Sequence, residues 1–382
     1  MKTLFIVVLT GAFWLHPLLA AEEAPTITIS KSDVVAIAVS PIGGANGASV
    51  TKIVQNDLAV SGYFNVTSAG SAGLIVSGDS SGSGLQGKVV DHSGKVALSS
   101  NYSGSARAKA HEFANDIIRT LTGNPGIAGT KIAFVSTKSG KKEIYTADYD
   151  GSNVQQLTRD NSISVGPSLS ADGRKLAYTG YKSGYADIYV IDLGSGSRER
   201  AIKFPGTNSG AAFSPDGARI ACSVSRDGNP ELYVCGVGGG GARRLTHSPG
   251  VESAPTWSPD GGEIIYSYEE HGPQLYRISA SGGSGRQIPT GHGYCTEPDW
   301  SPDGKKVAFN VREGGSFAVA VLDLQGGQTR VLANGESPAW GADSRHIIYA
   351  SGGALYLLDA QSGRKVKVLD GLGKITEPAW AR

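Results

Sequence analysis

Short apolar strands, each followed by a polar turn, recur along the last two thirds of the chain. The clearest copy is PTWSPDG, which runs from Pro255 to Gly261. The apolar residue at the centre of each copy marks its position in the chain: Leu169, Phe213, Trp257, Trp300, Trp340 and Trp380. These markers are spaced by 44, 44, 43, 40 and 40 residues. That spacing is the period of a four-stranded propeller blade.

The residues that follow each marker predict a tight hairpin. Ser, Pro, Asp and Gly in this order suit a type I turn, in which the Gly takes the left-handed conformation that closes a bulged hairpin. An apolar strand follows each turn, with the sequences KLAYTG, RIACSV, EIIYSY, KVAFNV and HIIYAS. Each repeat therefore begins with one strand, turns, and continues into a second, more apolar strand.

The two ends of the repeat region are incomplete in complementary ways. KIAFVS, Lys131 to Ser136, matches the second strand of a repeat but has no opening strand before it. The last repeat has only its opening strand, Glu377 to Arg382. If these two pieces pair, they complete one blade, and the repeats close into a ring of six without exposed strand edges. An open solenoid is the alternative, but both of its terminal repeats would be incomplete.

The residues before the repeats predict a small α+β domain. VVAIAV, Val34 to Val39, indicates a buried strand, and apolar periodicity predicts helices over Ala48–Ser61 and Ala106–Thr122. YFNV and LIVSG indicate further strands, and KVVD with VALSSNY a hairpin. The predicted fold is thus a small N-terminal α+β domain, residues 34–126, followed by a six-bladed β-propeller, residues 127–382, closed by the C-terminal strand.

The first residues of the chain predict export from the cytoplasm. Residues 1–20 combine Lys2, an apolar run from Leu4 to Leu15 and a small-residue end at Ala20–Ala21, which is typical of a cleaved signal peptide. A membrane anchor is the weaker alternative, because the run is short and interrupted by His16 and Pro17. Residues 21–33 would then form a polar arm, and its alternating segment TITIS indicates an edge strand.

Composition narrows the range of partners. Once Lys2 leaves with the signal, 34 basic residues face 34 acidic ones, and this balance argues against nucleic acid or an anionic membrane as the main partner. Three cysteines are too few for a disulfide framework. Cys222 and Cys235 flank a hairpin turn and could face each other, either as a disulfide or as two buried thiols.

Several motifs suggest chemistry but lack the context that it requires. Gly78 to Gly82 fits the nucleophile-elbow pattern, and the same Gly/Ser run has GxGxxG spacing, but a strand is predicted after it where both motifs need a helix. Asp148, Asp150 and Asn153 suggest a calcium loop without its terminal Glu, so an Asp-Gly hairpin turn is the better interpretation. The histidines have no metal-ligand spacing. We expect no metal and no cofactor.

The loops that lead into the innermost strands ring one mouth of a propeller's central channel. Here they contain a polar and partly acidic set of residues: Thr207, Asn208, Glu252, Ser253, Thr296, Glu297, Glu336, Thr376 and Glu377. Each of these residues, taken alone, is typical of an ordinary solvent-exposed loop. Taken together they predict a docking surface for a protein partner.

The order of these elements resembles the TolB family, the soluble component of the bacterial Tol–Pal envelope system. The resemblance is carried by NDLAVSGYFNV (Asn56 to Val66), an LTGxPG link, the KIAF strand, an IYxxDYDG hairpin (Ile144 to Gly151) and the PxWSPDG repeats, and it covers nearly the whole exported chain.

The resemblance implies a periplasmic, monomeric adaptor, not an enzyme. It implies that the propeller face docks the peptidoglycan-associated lipoprotein Pal, and that the N-terminal arm engages the inner-membrane protein TolA. We assign that arm contact to a short segment: Thr26, Ile27, Thr28, Ile29 and Ser30. The system supports outer-membrane integrity and constriction at division. Two other functions stay open: a lactonase-like propeller hydrolase with a channel metal, and a general secreted scaffold.

Overall fold

The computed structural model of the protein describes residues 34–81 and 83–382. The predicted signal, residues 1–20, and the predicted arm, including Thr26–Ser30, lie outside the described residues. The described chain forms one five-stranded sheet with two helices, followed by six four-stranded sheets.

The N-terminal unit is an α+β layer, as expected. Its elements in chain order are β1 (Val35–Val39), α1 (Gly47–Val60), β2 (Phe64–Val66), a 3₁₀ turn (Ala69–Ser71), β3 (Leu74–Asp79), β4 (Gly84–Asp91), β5 (Val96–Ser103) and α2 (Ala106–Thr122). The strand order is β2-β1-β3-β4-β5, with β1 parallel to both of its neighbours. Strand β4 follows the Gly/Ser run, so the helix that a nucleophile elbow or a dinucleotide turn needs does not begin there.

Both helices bury one apolar stripe against this sheet. Val50, Val54 and Leu58 of α1 and Phe113 and Ile117 of α2 are fully buried in a single core. The predicted bounds of α2 are confirmed, because the Ser105 hydroxyl accepts a hydrogen bond from the Ala108 N–H (3.2 Å) and Gly123 ends the helix in the left-handed conformation. Helix α1 is displaced by one residue from its predicted bounds.

The remaining strands form the propeller. The first three follow the interdomain link: β6 (Lys131–Ser136), β7 (Glu143–Asp148) and β8 (Gln155–Gln156). The next two sheets contain β9 (Ser164–Leu169), β10 (Lys175–Gly180), β11 (Asp187–Asp192), β12 (Arg198–Ile202), β13 (Asn208–Phe213), β14 (Arg219–Val224), β15 (Glu231–Gly236) and β16 (Arg243–Arg244). The last three sheets and the closing strand are β17 (Val251–Trp257), β18 (Glu263–Glu269), β19 (Pro273–Ser279), β20 (Arg286–Gln287), β21 (Cys295–Trp300), β22 (Lys306–Glu313), β23 (Ser316–Asp323), β24 (Thr329–Asn334), β25 (Glu336–Trp340), β26 (His346–Ser351), β27 (Ala354–Asp359), β28 (Lys365–Leu369) and β29 (Ile375–Trp380).

The predicted ring closure is confirmed. Strand β29 pairs antiparallel with β6, so the sixth sheet has the order β29-β6-β7-β8. Strand β29 also contacts β9 of the next sheet, so that the opening strands of all six repeats lie side by side around one axis. The chain is therefore a closed six-bladed propeller, and β6 has no free edge on the side that β29 covers.

The Ser-Pro-Asp-Gly turns have the predicted geometry. Within this motif the Gly N–H donates to the Ser carbonyl, as in Gly261 to Ser258 (2.9 Å), and the Gly has a positive φ of 69°. The Asp260 carboxylate accepts a hydrogen bond from the Ser258 hydroxyl (2.5 Å). The marker residue that precedes each turn is buried between neighbouring blades; Trp257, for example, donates from Nε1 to the Ala212 carbonyl of the preceding blade (3.0 Å).

A buried polar cluster joins the N-terminal unit to the propeller. Asp57 of α1 accepts a hydrogen bond from the Tyr149 hydroxyl (2.5 Å) and lies 2.6 Å from Nδ1 of His111 in α2. All three side chains are buried, and burial together with the Asp57 charge raises the pKa of Tyr149. Tyr149 belongs to the turn between β7 and β8. This turn therefore connects the propeller to both helices.

The carboxylates considered for calcium belong to the same contact. Arg107 of α2 donates to Asp148 (3.0 Å) and Asp150 (2.7 Å), and Asn153 donates to Asp148 (2.6 Å). Lys131 adds a second cation at 2.9 Å from Asp148. These carboxylates are thus neutralised by side chains of the protein, which fits the hairpin-turn interpretation.

The repeat turn that departs most from Ser-Pro-Asp-Gly provides a second contact. In GADSRH, Arg345 forms a two-pronged ion pair with Asp359 (3.0 and 2.7 Å), donates to the Gly62 carbonyl (2.8 Å) and covers the Tyr63 ring (4.4 Å to its centre). The altered turn sequence thus marks the place where the propeller meets the end of α1.

The register of β14 and β15 corrects the expected arrangement of two cysteines. Cys222 lies opposite Tyr233, and Cys235 lies opposite Ile220, so the thiols are diagonal neighbours and do not face each other directly. Both are buried free thiols, as is Cys295. Residue pairs in this diagonal relation are farther apart than directly opposed ones.

Candidate functional site: the channel and its mouth

The six opening strands, β9, β13, β17, β21, β25 and β29, enclose a channel along the propeller axis. Its cavity has a volume of about 500 Å³. Each opening strand except β13 contributes one proline to its lining: Pro167, Pro255, Pro298, Pro338 and Pro378. The channel is therefore built from the repeat motif itself, and each blade contributes equivalent positions.

A ring of residues in the left-handed conformation surrounds the mouth of the channel. The residue before each of those prolines, and before Ala211 in β13, has φ between 48° and 64°: Gly166, Gly210, Ala254, Glu297, Ser337 and Glu377. Four of the six carry a side chain, although side chains are unfavourable in this conformation. The ring lies where the opening strands begin.

A bulge in each opening strand produces this ring. In every blade the pairing with the second strand shifts by one residue at this point, as between Ser253 and Thr256. The left-handed residue and the proline after it have no direct partner in the sheet, so the missing proline N–H costs nothing there. The sequence showed the proline but not the bulge, because Gly, Ala, Glu and Ser share no pattern that signals a positive φ.

The predicted mouth residues are brought together, but within strands and not in loops. All except Thr207 belong to the first three residues of an opening strand. Six reach solvent at least in part: Thr207, Ser253, Thr296, Glu297, Glu336 and Glu377. The other three are buried: Asn208, Glu252 and Thr376. A partner could therefore touch the first six directly.

Acidic side chains dominate this mouth. Glu297 reaches the channel solvent, yet protein surrounds it, and this enclosure raises the pKa of its carboxyl, with the charges of Glu377 and Glu336 adding to the effect. Asn310 opposes the shift by donating to Glu297 Oε2 (2.9 Å). The Gly166 N–H donates to Glu377 (2.7 Å). The mouth is thus a concave surface that favours donors and cations.

Two residues that shape the mouth were not found from the sequence. Lys142, in the turn that leads to β7, has its Nζ 3.7 Å from Glu377 Oε1. Asn310 of β22 connects two blades, because it donates to Glu297 and accepts from the Ser337 N–H (3.0 Å). Lys142 directly precedes the third strand of its blade and Asn310 lies in the second strand of its blade, and the repeat pattern marked neither position as a mouth residue.

An ion pair lines the channel away from its mouth. Asp299 of β21 accepts from the Trp340 N–H (2.7 Å) and from the Thr256 hydroxyl (3.3 Å), and it also pairs with the Arg382 guanidinium. These contacts connect β17, β21 and β25 and the residues beyond β29. The channel therefore has an acidic mouth and a charge-neutralised base.

Replacement of Ala254 by Gly tests the strained ring. Because Gly takes positive φ freely, Ala254→Gly is expected to leave the free energy of unfolding unchanged or to raise it by up to about 1 kcal/mol. Ala339→Gly is the matched control, because Ala339 lies in β25 two residues after Ser337 of the same ring and does not have a positive φ. This control should lower the free energy of unfolding by about 1 kcal/mol. Urea unfolding measures both, and equal losses would contradict the strain at Ala254.

The described residues contain neither a cluster of metal ligands nor a helix that could cross a membrane. Within residues 34–81 and 83–382, no three His, Cys, Asp or Glu side chains are grouped as ligands for a metal ion. In that part of the chain, neither helix has the length and apolar character needed to cross a membrane.

Together these features define a class of protein: a closed six-bladed β-propeller, with an open polar mouth, joined to a small α+β unit. Residues 118–382 match the family described as PD40, TolB beta propeller domain. That match covers more than half of the chain, and the chain belongs to this family.

Individual relatives agree with the family match. The crystal structure of TolB from Acinetobacter baumannii superposes with a TM-score of 0.83 at 26% identity, over 91% of this chain and 97% of that one. The chain is 45% identical over 93 residues to a "Protein TolB homolog" of Chlorobium chlorochromatii, and 47% identical over 83 residues to the "Tol-Pal system protein TolB" of Geobacter sulfurreducens. These alignments cover 23% and 21% of this chain, and 21% and 19% of the relatives. The matched part thus spans about a fifth of the relatives' length.

Proposed function

We propose that this protein is a periplasmic, non-enzymatic adaptor of the Tol–Pal envelope system. The observation that carries the proposal is the similarity to the Acinetobacter baumannii TolB structure over 91% of the chain, at an identity of 26%. Relatives that bear the name Tol-Pal system protein support the same assignment. In this role the protein contributes to outer-membrane integrity and to constriction at division.

The channel mouth is the proposed docking surface for a Pal-type lipoprotein. Its six accessible residues surround a concavity, and the charges of three glutamates gather on one side of it. Such a site favours a partner that presents hydrogen-bond donors or cations at the centre of its contact. The opposite side of the propeller is partly occupied by the N-terminal unit, through Arg345 and Tyr149. Among the described residues, the contacts of the N-terminal unit with the propeller through Arg345 and Tyr149 thus lie away from the mouth.

The N-terminal residues complete the proposed organisation. We propose cleavage of the signal near Ala20 and Ala21, an arm over residues 21–33 whose segment Thr26–Ser30 engages a TolA-type inner-membrane protein, an α+β domain over residues 34–126, and a propeller over residues 127–382. The ends of α2 and the start of β6, at Thr122 and Lys131, support the last boundary.

Bulky substitutions at the mouth test the docking surface. The triple variant Thr207→Trp, Ser253→Trp and Thr296→Trp should weaken binding to a purified Pal-type lipoprotein by at least about tenfold, or roughly 1.4 kcal/mol, because the indoles fill the contact surface. The matched control places tryptophans on exposed turns at the other end of the blades: Ser195, Ser281 and Gln325. Calorimetry on correctly folded variants measures both affinities.

Two outcomes would overturn this proposal. Unchanged affinity in the mouth variant would exclude this face, and equal weakening in both variants would show a general effect of the added tryptophans. A pull-down from envelope extracts, with and without residues 21–33, tests the arm separately: its removal should abolish capture of the TolA-type protein and leave capture of the lipoprotein intact.

The lactonase-like alternative has no supporting observation in the described part of the chain. Such an enzyme holds its metal with several side chains that converge in the channel. Here Glu297 and Glu377 are bound instead by Asn310 and by the Gly166 N–H. Stoichiometric calcium in the purified protein together with esterase activity would favour this alternative over the adaptor.

A further inference from the structure

Two glutamates, Glu231 and Glu252, lie side by side beneath the mouth, and within the described part of the chain no cation pairs with Glu252. Glu231 and Glu252 are buried, with exposed fractions of 0% and 1%. The Oε2 atom of each is buried and has no hydrogen-bond partner among the described residues. Two ionised carboxylates are acceptors only and cannot satisfy each other, whereas one proton shared between them would satisfy both oxygens.

The neighbouring blade has a hydrogen-bonded pair at the equivalent position. There Asp187 occupies the place of Glu231, at the start of the third strand, and Asn208 occupies the place of Glu252, in the opening strand. The Asn208 amide donates to Asp187 Oδ1 (3.3 Å). With Glu252 in place of the amide, the donor is missing unless a carboxyl is protonated.

The two glutamates also hold a loop at the mouth. Residues 246–250 connect β16 to β17, and we refer to them as the rim loop. The Ser248 N–H donates to Glu231 Oε1 (3.0 Å), and the Ser248 hydroxyl donates to Glu252 Oε1. Asn229 donates to the Ser248 carbonyl (2.9 Å). Ser253, one of the accessible mouth residues, lies three residues after the end of this loop.

Among residues 34–81 and 83–382, the charged and titratable groups around the pair leave Glu252 without a cationic partner. Arg244 of β16 is 2.6 Å from Glu231 Oε1 and 3.7 Å from Asp227, so its charge is shared between those two acids. From β18, Tyr266 and Tyr268 face the pair, and from the rim loop itself comes the exposed His247. Burial raises the pKa of the Glu252 carboxyl to about 7. The charge of Glu231 adds to this increase, whereas the hydrogen bond from the Ser248 hydroxyl opposes it.

We propose that a proton shared by Glu231 and Glu252 latches the rim loop to the propeller, and that loss of this proton as the pH rises releases the loop. The pKa of the Glu252 carboxyl is raised in the folded protein. The latch is therefore complete at a pH below the ordinary pKa of a Glu, and it is lost as the pH rises through the raised pKa of the folded protein. Ionisation of Glu252 adds a second carboxylate charge to a buried site where Arg244 already pairs with Glu231, and the rim loop is the element that can move to hydrate Glu252.

The consequence for partner binding rests on the proposed function. If the mouth docks a lipoprotein, the proton-bound loop presents Ser253 in a fixed position, and the released loop does not. The latch itself is a property of the chain alone, so it can be tested without any partner. Failure of the latch and failure of the docking assignment are therefore separate results.

Hydrogen exchange of the rim loop tests the latch. In the wild-type protein, the protection factors of the amides from His247 to Val251, corrected for intrinsic exchange, should fall by roughly tenfold or more between about pH 6 and about pH 8.5. In Glu252→Gln the new amide can donate to Glu231 as Asn208 does to Asp187, so protection should stay constant over the same range. Glu313→Gln, an exposed acid of another blade, should behave as wild type.

Constant protection in the wild-type protein, or an undiminished loss of protection in Glu252→Gln, would overturn the proposal. If Glu252→Gln does not fold, Glu231→Gln supplies the donor from the other side of the pair and should likewise remove the pH dependence. In either variant, an exchange profile that changes equally in all blades would show global unfolding and would contradict a local latch.

Discussion

Deletion of residues 375–382 is expected to destroy cooperative folding of the propeller. These residues include β29, whose Ile375 and Trp380 are buried in the core between the last and first blades. Losing a buried Trp alone costs roughly 3–5 kcal/mol, a large part of the stability of an ordinary domain. The deletion also uncovers the whole edge of β6, a strand of the sequence KIAFVS with five buried residues.

Circular dichroism and size-exclusion chromatography measure this outcome. The truncated chain should lose its cooperative thermal transition and elute as aggregates, because an uncovered apolar strand edge pairs with other chains. Deletion of Arg382 alone is the control: it removes the ion pair with Asp299 but leaves β29 paired, so the chain should remain folded and monomeric. A truncated chain that unfolds at the wild-type temperature would contradict the closed ring as the source of stability.

Asp57→Ala is expected to have the second largest effect, a loss of roughly 3–5 kcal/mol in the free energy of unfolding. The substitution removes the acceptor of the Tyr149 hydroxyl and the carboxylate beside His111, and it leaves both groups buried without these partners. Because Tyr149 belongs to the propeller and Asp57 to α1, the change also weakens the contact between the two parts. Urea unfolding measures the loss, and faster proteolysis at the Gly123–Gly129 link reports the separation.

Asp116→Ala provides the matched control for Asp57. Asp116 lies on α2 and pairs with Arg119 one turn later, and this Arg side chain is 63% exposed. Exposed helical pairs of this kind contribute only about 0.3–0.5 kcal/mol, so Asp116→Ala should change stability little and proteolysis not at all. Similar losses in the two variants would show that burial of the Asp57 cluster is not what stabilises the joint.

The sequence predicted the blades more completely than it predicted the chemistry of the channel mouth. A Pro, an aromatic residue and a Ser-Pro-Asp-Gly turn have strong local conformational preferences, so their spacing predicted the blades, the turns and the closing strand. The left-handed ring at Ala254, Glu297, Ser337 and Glu377 was missed, since three ordinary residue types adopt that conformation there only because a bulge in the sheet requires it. The same bulge set which of the predicted mouth residues point to solvent and which are buried.

Local sequence patterns also did not predict the contact between the N-terminal unit and the propeller. GADSRH differs from the other turns in the printed sequence, yet its meaning depends on Gly62 and Tyr63, which lie more than 280 residues earlier in the chain. Asp57, His111 and Tyr149 likewise read as an ordinary helix face and an ordinary turn until the fold brings them together.

By itself the sequence determined the architecture, because repeat period, strand alternation and turn chemistry are short-range properties that each blade expresses in the same way. Only the tertiary structure decided which side chains meet across blades and domains. Glu231 and Glu252 are 21 positions apart in the chain and look like two unremarkable acids. Their proximity in a buried site gives them a common proton, because electrostatic coupling depends on distance and burial, which the order of residues does not state.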